Sequence, residues 1–192
     1  MDVSSFIFWG TVIALILYIV MIYNNLVRLK HNVSQAWSNI DVLMKQRHDE
    51  LPKLVETCKQ YMKYEKDVLE KVTQARAMVA QAREAGDVDA LGAAETQLRL
   101  GLGNLFAVAE NYPELRANEQ FQHLQNRISQ LEAQIADRRE YYNHSVNANN
   151  IRIEQFPDTI VARMLSFGPR KLLEFEQREL KDVDVKAVFN SG

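Results

Sequence analysis

An uncharged apolar run from Phe6 to Tyr23, Phe-Ile-Phe-Trp-Gly-Thr-Val-Ile-Ala-Leu-Ile-Leu-Tyr-Ile-Val-Met-Ile-Tyr, constrains this chain more than any other stretch. The nearest charges on its two sides are Asp2 and Arg28. At about 1.5 Å per residue, a helix over the uncharged stretch can cross a hydrocarbon core of about 30 Å. The alternatives are a buried core helix and a cleaved signal peptide. A signal peptide calls for a basic n-region and a small-x-small cleavage site, whereas the run starts after Met1-Asp2-Val3-Ser4-Ser5 and leaves through Tyr23-Asn24-Asn25-Leu26. The run therefore reads as a retained anchor over residues 6–23. Phe6, Trp9, Leu15, Leu17, Tyr18 and Tyr23 are its expected lipid contacts, with Trp9 near one interface and Tyr18 and Tyr23 near the other.

The flanking charges give an orientation. Arg28, Lys30, Lys45 and Arg47 follow the run and no Lys or Arg precedes it, so residues 1–5 are expected outside and the rest of the chain in the cytoplasm. A single cysteine, Cys58, agrees with a reducing compartment, since one thiol makes no intrachain disulfide. Beyond the anchor the chain is long enough for one domain with its own core. A net charge of -2 gives no field of the kind that draws nucleic acid, so no nucleic-acid partner is expected.

Apolar residues fall on helical stripes. Leu26, Val33, Trp37, Ile40, Met44 and Leu51 form the first, which predicts that the anchor helix continues out of the membrane to about Asp49 and breaks at Leu51-Pro52. Leu54, Cys58, Tyr61, Val68, Val72, Ala75 and Val79 predict a second helix that starts at Pro52 and stops at Gly86, with Asp87 capping the next. Leu91, Leu98, Leu102, Leu105, Ala109 and Tyr112 form the third, which yields to a turn at Tyr112-Pro113. The fourth helix starts at Asn118 with Phe121, Leu124, Ile128, Leu131 and Ile135. Its stripe shifts after Arg138-Arg139 to Tyr142, Val146, Asn149, Ile153 and Phe156. Short connections between such helices predict antiparallel neighbours. The expected fold is all-α: an N-terminal transmembrane helix continuing into an elongated antiparallel four-helix bundle over 24–156, then an amphipathic segment over 157–175 and a charged tail over 176–192. The heptads can instead pair between chains as a coiled coil.

These residues resemble a known family. Trp37-Ser-Asn-Ile-Asp41-Val-Leu-Met-Lys45-Gln-Arg47, Leu51-Pro52-Lys-Leu54-Val55-Glu56, Phe106-Ala-Val-Ala-Glu110-Asn111-Tyr112-Pro113 and Arg139-Glu-Tyr-Tyr142-Asn143 through Phe156-Pro157 are similar to the LemA family, over about Tyr23 to Phe156. Ala148-Asn149 departs from the family's second Tyr-Asn, which puts one aromatic contact in question. The resemblance implies a bacterial inner-membrane protein with a short exterior N-terminus, a cytoplasmic antiparallel helical bundle and no established enzymatic activity. The same family includes a magnetosome membrane protein, and by analogy this points to organising or shaping membranes.

Residues for chemistry are sparse. A di-metal bundle site needs Glu-x-x-His pairs, and none of His31, His48, His123 and His144 has a Glu three residues before it. Cys58 lies on an apolar stripe as a small core residue would, and there is no phosphate-cradling loop or serine elbow. No enzyme, metal or cofactor is expected.

Polar residues on the apolar stripes are more telling: Arg47, Glu65, Arg139 and Asn149. They lie either at the ragged edge of the bundle or buried and paired, where they would fix helix register. Asn143, Asn147 and Asn150 share one face beside Tyr141 and Tyr142, a face either solvated or bonded to a neighbouring protomer. In 157–175, large apolar residues, Ile160, Met164, Leu165 and Phe167 among them, share the segment with the cations Arg163, Arg170 and Lys171. This is a candidate interfacial segment with apolar groups in the bilayer and cations at anionic headgroups, or else a cap on the bundle or a subunit contact. The charged stretch from Glu174 to Phe189 reads as a tail or a partner-binding strip.

The functional expectation is a membrane-anchored, self-associating helical scaffold of the bacterial inner membrane, with lipid and further copies of itself as partners. The alternative is a membrane-tethered adaptor for a second membrane protein, such as a protease or a signalling protein.

Overall fold

The computed structural model of the chain describes residues 3–175. Six helices succeed one another: α1 (Val3–Lys59), α2 (Lys66–Ala85), α3 (Val88–Ala109), α4 (Pro113–Ala117), α5 (Glu119–Glu154) and α6 (Asp158–Met164). Among the described residues there is no strand, and the fold is all-α. The four long helices are those the stripes predict. The charged stretch over 176–192 lies outside the described residues. The described residues form two compact units. One holds the chain up to Gln46 together with Gln130–Leu172, and the other holds Arg47–Ser129 with Leu173 to Phe175.

In the first unit, α1 buries Ile22, Leu26, Val33, Ala36, Ile40 and Met44 along one face. From α5 come Leu131, Ile135, Tyr142, Val146 and Ile153, and from α6 Val161 and Ala162. Burial of each large apolar side chain is worth about 1.5 to 3 kcal/mol, so these stripes supply most of the unit's stability. Trp37, expected on the buried face, is half-buried and packs its ring 5.4 Å from that of Tyr142. The stripe shift in α5 places Asn149 inside but leaves Phe156 81% exposed, because α5 ends at Glu154 and Phe156 lies in the turn before α6.

In the second unit, α2 and α3 form a hairpin. Gly86 takes the left-handed conformation (φ 66°) that ends α2, and the Asp87 carboxylate accepts from the backbone N–H groups of Asp89 and Ala90, each at 3.1 Å. Gly101 of α3 is buried facing Val72 of α2. Asn118 caps α5 as its position predicts, accepting from Phe121 N–H at 2.9 Å. The core is Leu51, Leu54 and Cys58 of α1 with Val72, Leu91, Leu98, Leu105 and Phe121.

One boundary departs from expectation. The first helix does not break at Leu51-Pro52 but runs on to Lys59, and the second begins at Lys66 rather than at Pro52. Pro52 has no N–H to give to the carbonyl of His48 four residues before it, a loss that ordinarily kinks or ends a helix. Arg76 of α2 takes up that carbonyl instead, donating from Nε at 3.0 Å, while its Nη2 lies 2.7 Å from His48 Nε2. The freed acceptor is thus satisfied by a neighbouring helix, and the apolar positions Leu51, Leu54, Val55 and Cys58 stay in the core as α1 continues.

Candidate functional site

From Phe6 to Met21, α1 exposes nearly all its large apolar side chains, among them Phe6, Trp9, Leu15, Leu17 and Tyr18. Its most apolar 18-residue window has a mean hydropathy of 2.4 and is 6% buried, so by length and composition this helix is able to cross a membrane. Val3 to Met21 spans about 28 Å of helix axis, close to the thickness of a hydrocarbon core.

Burial begins at the next residue. Ile22 and Leu26 meet Ile153, Val161 and Ala162, with Phe167 packed on the same cluster. Helix α6 therefore lies against α1 at the foot of its bare apolar stretch. Around this cluster Phe156, Ile160, Met164 (78% exposed) and Leu165 turn outward, as does Arg163. The bonds that hold this collar are local and polar: Arg152 Nε donates to the buried Asp158 carboxylate at 2.8 Å, and Phe167 N–H donates to Ala162 O at 2.9 Å.

The rest of the candidate interfacial segment is tied down rather than presented. Asn150 grips the backbone of Arg170 from both sides, accepting from its N–H and donating to its carbonyl, each at 2.8 Å. Tyr142 O–H donates to the Lys171 carbonyl at 3.0 Å, and burial raises the phenol above its ordinary pKa. The Arg170 and Lys171 side chains remain exposed. In the second unit Leu173 and Phe175 are buried, and the Glu174 carbonyl lies so close to α3 that a Cβ on Gly92 would run into it. Glu174 and Phe175, read from sequence as the start of a tail, are therefore part of a strap packed on α3.

Other polar positions separate by environment. Arg47 and its partner Glu95 are 1% and 0% exposed, with Arg47 Nη2 and Glu95 Oε1 2.5 Å apart. Glu95 escaped sequence reading, although it stands between Leu91 and Leu98 at core spacing, which is the signal that could have found it. Asn149 is buried and donates to Asn150 Oδ1 at 3.2 Å. Glu65 is half-buried and accepts from Tyr112 O–H at 3.4 Å. Arg139 and Asn143 are half-buried, whereas Asn147 is exposed. The asparagine face is not uniform: Asn150 serves its own chain.

Chemistry beyond contact finds little footing. Among the described residues no three His, Cys, Asp or Glu side chains gather to hold a metal ion. Cys58 is buried, and burial pushes its thiol up to about 12, so it is a poor thiolate nucleophile at neutral pH. Burial, and then the Arg76 guanidinium, hold His48 below the ordinary histidine range, which suits a neutral ring accepting from Arg76.

A family model for the LemA family matches residues 36–187. Two magnetosome proteins of Paramagnetospirillum magneticum, MamQ 1 and MamQ 2, are each 24% identical over 201 residues, covering 91% of this chain and 72% of the relative. Protein LemA of Metamycoplasma hominis is 27% identical over 169 residues, covering 87% of this chain and 75% of its own. With most of its length matched, including α2, α3 and α5, the chain belongs to the LemA family.

Proposed function

We propose that the protein is a membrane-anchored helical scaffold that associates with copies of itself to organise or remodel a bacterial inner membrane. The observation that carries this reading is the junction on α1, where a bare apolar stretch gives way within one residue to a packed core collared by outward Phe156, Ile160, Met164 and Leu165. In water such a collar is costly; in a bilayer surface the same side chains are buried, with Arg163 beside anionic headgroups. The flanking cations Arg28, Lys30 and Lys45 favour a cytoplasmic location for everything after the span. Protomers anchored in one bilayer face each other at high effective concentration, so weak lateral contacts accumulate. The naming of relatives for the magnetosome is in keeping with a structural role.

The adaptor reading has one observation in its favour, an open cleft of about 710 Å³ in the second unit lined by Lys59, Lys63 and Lys66 with Met62 and Leu69. Mass photometry and electron microscopy of the full-length protein, extracted gently from its own membrane, discriminate the two. The scaffold reading expects large homomeric particles. Monomers or dimers with a stoichiometric second protein would overturn it in favour of the adaptor.

A further inference from the structure

The first unit contains a cleft of about 410 Å³ immediately past the apolar stretch of α1. Tyr23, the last residue of the uncharged run, forms one wall with Val27, and Lys30 and His31 stand one to two turns further along the same helix. The opposite wall is the turn after α6, with Phe167 and Arg170, and Asn149 of α5 lies within. Two features of that turn are built rather than incidental. Ser166 holds a left-handed backbone (φ 57°), uncommon for a residue with a side chain, and this aims Phe167 at the Tyr23 ring, 6.1 Å away and edge-on. The two Asn150 bonds then fix the Arg170 backbone at the rim. No Asp or Glu lines the cleft, and among the described residues Lys30, His31 and Arg170 form no ion pair.

We propose that this cleft binds the phosphate of an anionic phospholipid headgroup. The inference rests on the reading of α1 as the membrane anchor. Tyr23 and Lys30 stand two and nine residues beyond Met21, about 3 Å and about 14 Å further along the helix axis, so the cleft starts at the bilayer surface when the apolar stretch fills the hydrocarbon, and the long Lys30 side chain reaches back toward headgroup depth. The chemistry matches that depth. Lys30 and Arg170 supply charge, the Arg170 fork suits phosphate oxygens, His31 and Asn149 supply N–H donors, and Tyr23 and Phe167 flank the first carbons of the lipid. A soluble phosphate would satisfy the same polar groups, but it would leave the apolar wall of Tyr23, Leu165 and Phe167 unused.

The test uses full-length protein. Flotation with liposomes comes first, and failure to float would remove the anchor itself. Native mass spectrometry in detergent, with phosphatidylglycerol and phosphatidylcholine supplied in equal amounts, then reads headgroup preference. At about five-fold per well-placed cation, the wild-type protein is expected to retain phosphatidylglycerol about ten-fold or more over phosphatidylcholine. Lys30→Gln, His31→Gln and Arg170→Gln together, all on exposed side chains, bring the ratio close to parity. Lys45→Gln and Arg138→Gln together, which remove two exposed cations of the same unit outside the cleft and far from the apolar stretch, leave it unchanged. Parity in the wild type, an unchanged ratio in the cleft variant, or equal loss in both variants would each overturn the site while leaving the anchor standing. Displacement of phosphatidylglycerol by millimolar inorganic phosphate would reassign the cleft to a soluble anion.

Discussion

The two units bury polar groups by opposite means. The second places a full charge on each side of a core contact, Arg47 against Glu95, both out of reach of water. The first pairs its buried Asp158 carboxylate with an Arg152 that stays 38% exposed to water, and turns Asn150 and Tyr142 onto the backbone of a passing strap. The difference matters because a buried ion pair adds little net stability over apolar packing, yet losing one partner strands the other charge. A side chain bonded to backbone carries less at stake: its loss frees a segment that water can solvate. The second unit is thus specified by an all-or-none contact and the first by graded ones.

The sharpest way to break that contrast is Glu95→Ala, expected to cost about 3 to 5 kcal/mol in denaturant unfolding by stranding the Arg47 guanidinium. The paired exchange Arg47→Met with Glu95→Leu should recover most of it, and a double variant as unstable as the single one would show that the pair contributes more than register. Next in size, Gly92→Ala forces the Glu174 carbonyl off α3 and should cost about 1 to 3 kcal/mol, with faster amide exchange at Leu173 and Phe175 as the local readout. In the first unit, Asn150→Ala removes two bonds to Arg170 at about 0.5 to 1.5 kcal/mol each. Exchange should quicken at Arg170 while the apolar core keeps its protection; global unfolding there would mean the first unit is no more graded than the second.

The smallest effect concerns pH. His48 is held below its unfolded value, so the folded state binds its proton less readily than the unfolded chain does. Its contribution is present above the unfolded value of 6.5 and is lost as pH falls from there through the lowered folded value. Melting between pH 7.5 and pH 5 should show a modest loss of stability that His48→Gln abolishes.

Much of the fold was legible because its signals are local. The apolar run announces itself by lacking charge, the stripes by spacing, and the ends of helices by Gly86, Asp87 and Asn118, whose effects reach only a few residues. Three features were not legible, each for a long-range reason. Pro52 reads as a break until Arg76, far along the chain, is seen on the His48 carbonyl. Arg47 stood out as a polar residue on a stripe, but no spacing names Glu95 as its partner 48 residues later. The strap through Arg170 to Phe175 is irregular, so it carries no period to read, and only the room left by Gly92 records its course. At the foot of the apolar run, sequence singled out Ile160, Arg163, Met164 and Leu165 but read Phe156 as a stripe residue, and the placing of Lys30 and His31 opposite Arg170 across one cleft required the packing of α6 on α1.

Pro52 leaves a socket in the side of α1. A regular helix spends its interior carbonyls on itself and offers neighbours only side chains. By withholding one N–H, the proline turns a backbone oxygen outward at a fixed height, and Arg76 plugs into it like a key with two teeth, one on that oxygen and one on the His48 ring. Side-chain contacts tolerate sliding by a turn, because apolar stripes repeat. A single outward carbonyl does not repeat, so it indexes α2 along α1 at one position only.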